Sequence, residues 1–408
     1  MKKLISSLLI AGLSVAMLAG CSSSGADSDA TSTAEGTTQV SAADIKIGVI
    51  YIGDENEGYT ESHMKGIDQM MEDLGISEDQ VIEKTTIPES EECYDAAVDL
   101  AEQGCDIIFG TSFGHEDYIK QAAEEFPEIQ FCHATGYQAA SSGLSNMHNY
   151  FDNIYEARYV SGVVAGLKLN EMIEAGEVTE DACKIGYVGA YPYAEVVSGY
   201  TAFYLGVKSV CDSATMEVQY TNSWADISKE KETADALIAD GCVLISQHAD
   251  TTGAPSACEE KGVPCVGYNV DMTSVAATTA LTSSTNNWAV YYDYAVSCVL
   301  NGEAIATDWS EGFASDAVAL TTLGDACAER TQDKVDEVIA AIKDGSLKVF
   351  DTSTFTIGGK SIEDLIAEGG DYASYEQYVS DGVFQESTVI SAPAFDLRID
   401  GITELTTE

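Results

Sequence analysis

Five planar side chains, Tyr59, Phe113, Tyr191, Trp224 and Trp288, recur in short polar stretches beside carboxylates and amides: Asp54, Asn56, Glu195, Asp226, Asn269 and Asp271. Aromatic faces sandwich a flat ring, while carboxylates and amides read the donors on its edge, each stack contributing about 1–3 kcal/mol. That inventory fits a flat, nitrogen-rich, uncharged ligand such as a purine base. It does not fit a phosphate: the stretches contain no G-x-G-x-x-G, no G-x-x-x-x-G-K-[ST], and almost no lysine or arginine.

Catalytic chemistry finds less support. The five histidines, 63, 115, 133, 148 and 248, show neither H-E-x-x-H nor H-x-H spacing. His248 and Asp250 could pair as base and orienter, yet no serine stands in a G-x-S-x-G elbow. The acids in "DENE" (54–57) lack the rest of a calcium-type pattern, which argues against a metal-dependent nucleoside hydrolase. The reading is a binding protein with no catalytic residue, no metal and no cofactor.

The elements that must position these residues alternate along the chain. "IKIGVIYI" (45–52), "VIEKTTI" (81–87), "CDIIFGTS" (105–112) and "IQFCHAT" (129–135) read as strands, separated by helical spacing near 60–74, 91–103 and 115–126. The rhythm restarts with a helix from about 154, whose Gly162 and Gly166 allow close packing. Strands follow at 183–191, 215–222, 242–248 and 263–269, with helices at 194–210, 229–241 and 255–262. Strands alternating with helices predict an α/β fold of two doubly wound parallel-sheet lobes. The loops after their strands then face each other across a cleft: "GDENEGY", "TSFGHED" and "ATGYQ" from one lobe, "AYPYAEV", "TNSWAD", "QHADTTG" and "YNVDM" from the other. The expected division is 44–150 with 281–305 as the first lobe and 151–280 with 306–408 as the second. Strand "ALTSS" and the helix "AVYYDYAVSCVLNG" (289–302) are expected to recross into the first lobe.

The N-terminus says where the cleft works. Lys2 and Lys3 precede an apolar run too short to span a bilayer, and "LAGC" (18–21) follows. This predicts a lipoprotein signal peptide over 1–20 with Cys21 as the acylated mature N-terminus, and a disordered Ser/Thr/Ala/Gly/Asp tether over 21–43. The expected location is the extracytoplasmic face of the cell membrane. A formal charge of −49 at pH 7 repels nucleic acids and phosphorylated ligands. The other ten cysteines sit in or beside apolar runs without metal-type spacing and read as small buried side chains.

From about residue 46 to 360 the chain resembles the basic membrane protein family of substrate-binding lipoproteins, which serve ABC importers of purine nucleosides and bases. The resemblance rests on "GDENEGYTESHMKG", "GTSFG", "FCHATGY", "YEARYVSGVVAG", "KIGYVGAYPYAEVVSGYTAFYLGVKSV", "TNSWADISKEKETADALIADG", "QHADTTGA" and "VGYNVDM". It implies a type I periplasmic-binding architecture, with permease and ATPase subunits as partners. It also implies that Asp54 and Asn56 contact the base edge, that Tyr59 and Trp224 stack on opposite faces, and that Asp250, Asn269 and Asp271 lie near the sugar or remaining edge. Nucleoside receptors of the family carry a lysine after the "LTS" strand, where this chain has Asn286, Asn287 and Trp288. That departure favours a free purine base over a nucleoside. A sugar or signalling molecule is the alternative ligand.

Overall fold

The computed structural model describes residues 39–405. The first sheet is built from β1 (Ile47–Ile50), β2 (Val81–Lys84), β3 (Ile107–Gly110), β4 (Gln130–Ala134) and β5 (Met147–Tyr150), alternating with α1 (Gly58–Leu74), α2 (Glu91–Glu102), α3 (Glu116–Glu125) and the short α4 (Ala139–Ser142). After the long crossing helix α5 (Ile154–Glu174), the second sheet repeats the plan. Its strands are β6 (Lys184–Gly189), β7 (Thr215–Tyr220), β8 (Leu244–Gln247), β9 (Cys265–Tyr268) and β10 (Ala280–Asn286), with α6 (Ala194–Lys208), α7 (Ile227–Ala239) and α8 (Gly253–Lys261) between them. The chain then runs through α9 (Ala289–Asn301), β11 (Asp308–Trp309), β12 (Val318–Leu320) and α10 (Thr331–Lys343).

The strand orders are β11-β5-β4-β3-β1-β2 and β12-β10-β9-β8-β6-β7, the latter extended past β7 by a parallel C-terminal strand, Ile402–Glu404. Apart from the antiparallel β10–β12 pair, every neighbour in these two sheets is parallel. Each sheet reverses direction next to its first strand, leaving a crevice at the strand C-termini where doubly wound folds bind ligands. Runs such as IGVI in β1 and IIFG in β3 are buried along their length, as central parallel strands covered on both faces must be.

The expected boundaries need correction. The strand at 280–286 stays in the second sheet, between β9 and β12, because its parallel register with β9 continues that sheet. The recrossing begins only after it. Helix α9 packs on α1, with His63 Nδ1 and the Tyr292 hydroxyl 2.7 Å apart, and β11, which lies in the 306–408 segment expected in the second lobe, instead joins β5 at the edge of the first sheet. The folded body also begins before Asp44, since the Val40 N–H donates to the Val299 carbonyl. Helices α5 and α6 approach closely where glycines face backbone: a Cβ on Gly162 would lie 2.0 Å from the Phe203 carbonyl oxygen, and one on Gly206 would lie 2.0 Å from that of Tyr159. Nine of the ten cysteines in the described residues are buried, as the sequence implied.

Candidate functional site

Six segments after strand C-termini, with the last residue of β9, converge on a cavity of about 330 Å³ between the two sheets, at the small end of the roughly 300–1,000 Å³ typical of ligand sites. The first sheet supplies Gly53, Glu57 and Tyr59 after β1, Ser112 and Phe113 after β3, and Thr135 after β4. The second supplies Tyr191 and Glu195 after β6, Trp224 after β7, His248 and Asp250 after β8, and Tyr268 at the end of β9. The lobes touch directly at its edge, where the Gly58 N–H donates to the Asp250 carbonyl at 3.1 Å.

Local chemistry fixes each side chain. Glu57 caps α1, one carboxylate oxygen accepting from the Tyr59 N–H at 2.7 Å and the other from the Thr60 N–H at 2.9 Å. Burial pushes its carboxyl up, against the pull of these bonds. Tyr59 donates its hydroxyl to the Thr111 carbonyl at 2.7 Å and is 8% exposed, so its ring is held rigidly. Burial pushes Glu195 up to about 7, although Arg158 draws it down. Asp250 is raised well above the carboxylate range by burial and then by Glu57, Glu230 and Glu195; its Oδ1 accepts from Asn269 Nδ2 at 2.8 Å. His248 lies 3.4 Å from Glu195 and is kept neutral by burial and then by Arg158.

Arg158 is the feature that sequence reading passed over. It is fully buried in α5, donates Nη1 to the Gln247 carbonyl at 2.6 Å, and stacks 3.7 Å above the Tyr268 ring. No lysine or arginine lines the cavity itself. The polar and aromatic surface facing a ligand therefore consists of aromatic rings, the His248 imidazole, hydroxyls and carboxyls, the last able to donate when protonated and accept when ionised.

Residues 45–352 match the family described as ABC transporter substrate-binding protein, PnrA-like. The chain belongs to that family. Members capture solutes outside the cytoplasm for ABC transporters and are not enzymes, so a permease and its ATPase are implied partners. A purine-binding protein of Brucella abortus is 36% identical over 63% of this chain and 69% of its own length. A Haloferax volcanii protein, provisionally named an ABC transporter glucose-binding protein, is 31% identical over 78% of this chain and 77% of its own. An ABC transporter solute-binding protein of Aeropyrum pernix superposes with a TM-score of 0.63 at 16% identity, covering 81% of this chain and 98% of that one, a likeness of fold. No helix in the described residues is long and apolar enough to cross a membrane.

Within this family member, Tyr59, Phe113, Glu195, Trp224 and Asp250 of the expected contacts line the cavity. The others stand elsewhere. Asp54 folds back on Asn56, accepting from its N–H at 2.9 Å and its side-chain amide at 3.0 Å; Asn56 points to solvent, and Glu57 takes the inward place. Asp226 caps α7 through the Lys229 N–H, and Asp271 caps the turn at Thr273. Asn269 is buried behind Asp250 in left-handed backbone, φ 64°. Trp288 is fully buried, stacked 4.1 Å from His63 with its indole N–H on Ser62, and so packs α9 on α1. Cys21 lies outside the described residues. Glu57 and Tyr268 were visible in the quoted loops, but only the fold separates inward from outward positions.

Proposed function

We propose that the protein is a membrane-anchored receptor that captures a neutral purine base or nucleoside between its lobes and delivers it to an ABC permease. The observation that carries this reading is the pairing, inside one small cavity lined by no lysine or arginine, of rings from Phe113, Tyr191 and Trp224 with the carboxyls of Glu195 and Asp250. A purine offers two faces to the rings and ring or exocyclic N–H donors to the carboxyls. The Brucella relative named as purine-binding supports the same class. The stretch Asn286, Asn287 and Trp288, in the region where nucleoside receptors carry a lysine, favours the free base. Cys21 would carry the lipid.

The Haloferax relative named for glucose keeps a sugar as the second reading, because carboxylates also accept from hydroxyls. Mass spectrometry of small molecules released from protein purified without added ligand separates the two. A purine supports the proposal, and a hexose replaces it. Incubation with inosine should return inosine, with no hypoxanthine formed.

A further inference from the structure

Three rings that meet at the cavity are linked by a fourth that does not line it. Tyr193 stacks on Phe113 of the opposite lobe (centroids 5.4 Å apart, planes 26°) and on Tyr191 of its own (5.1 Å, 13°), and tilts against Trp224 at 6.1 Å. Phe113, Tyr191 and Trp224 all line the cavity, whereas Tyr193 is 41% exposed. Its ring therefore lies on the solvent side of the other three. Its backbone is anchored, since its carbonyl accepts from both Val196 and Val197 N–H at the start of α6, each at 3.0 Å. Beyond Phe113 the row continues to Tyr137, 6.3 Å away and 51% exposed.

We infer that Tyr193 is the clasp of the cleft: a positioning residue that pins Phe113 across the mouth, favours the closed lobes and sets how long a captured molecule stays. The area buried between Tyr193 and Phe113 exists only while the lobes are together, so this stack acts on the open–closed equilibrium rather than on folding. The release effect rests on the cavity being the ligand site; the effect on closure does not.

The test labels Glu128→Cys in the first lobe and Glu232→Cys in the second, both exposed positions, with a fluorescent donor and acceptor. In the protein without added ligand, Tyr193→Ala should shift the population toward lower transfer, and Tyr193→Phe should restore it. With adenine as probe, stopped-flow release from Tyr193→Ala should quicken about 2- to 10-fold, the range expected for one aromatic pair, with association changed less. Unchanged transfer in Tyr193→Ala would overturn the clasp, as would loss of closure in Tyr193→Phe. If adenine fails to bind the parent protein, the ligand reading fails while the transfer measurement still decides the clasp.

Discussion

Two tryptophans that look alike in sequence part company in the structure, and their variants should part likewise. Trp224 lines the cavity and is partly exposed, so Trp224→Ala should cost about 1–3 kcal/mol of ligand binding by calorimetry and leave the unfolding midpoint nearly unchanged. Trp288 is fully enclosed by His63, Phe151 and Tyr150. Its replacement by alanine should cost about 3–5 kcal/mol of stability in urea unfolding. Loop composition alone could not separate them: both follow polar Asn and Ser residues, and only the packing of α9 on α1 turns Trp288 inward. The same limit explains Asp54 and Asn56, which bond to each other and leave Glu57 to face the cavity. Glu195 gives a further residue-scale signature. With its carboxyl pushed up to about 7 by burial, affinity should change through neutral pH, and Glu195→Gln should flatten that dependence.

At the scale of elements, most strands and helices were legible because their periodicity and turn residues agree with their final places. The first five strands of each sheet form one repeated order. The place of β10 was not legible, since "ALTSSTN" carries no mark of which sheet it joins; register with β9 decides it. The close pair of α5 and α6 was foreshadowed by Gly162, and its energetics can be tested. A methyl on Gly162 would press on the Phe203 carbonyl at 2.0 Å, so Gly162→Ala should destabilise the second lobe by about 1–3 kcal/mol in thermal unfolding. Gly58, where α1 meets the opposite lobe, should behave differently. A Cβ there would lie 3.0 Å from the Asp250 carbonyl, so Gly58→Ala should weaken ligand binding while leaving the unfolding midpoint in place.

Over the whole molecule, buried acids shape the response to pH. Glu195, Glu230 and Glu386 are each pushed up to about 7 by burial, whereas an unfolded glutamate titrates near roughly 4.3. Between those values the native state holds protons that the unfolded chain has released. Their contribution is therefore fully present below about pH 4.3 and is lost as pH rises through about 7. Burial holds all five histidines neutral and gives the opposite trend below about pH 6.5, so urea midpoints should fall from about pH 6.5 to about pH 8, and the triple Glu→Gln variant should reduce the slope; a slope left unchanged would contradict the assignment. The formal charge of −49 adds a second whole-molecule effect: at low salt it opposes phosphorylated ligands.

Whether the cavity takes a neutral purine can be read from calorimetric titration at neutral pH with adenine, guanine, hypoxanthine, their nucleosides, AMP and glucose. Saturable one-to-one binding of at least one base or nucleoside is expected, weakened about 5- to 150-fold by Trp224→Ala, with AMP far weaker than adenine and glucose giving no heat of binding. Saturable binding of glucose with no response to any purine would contradict the purine reading.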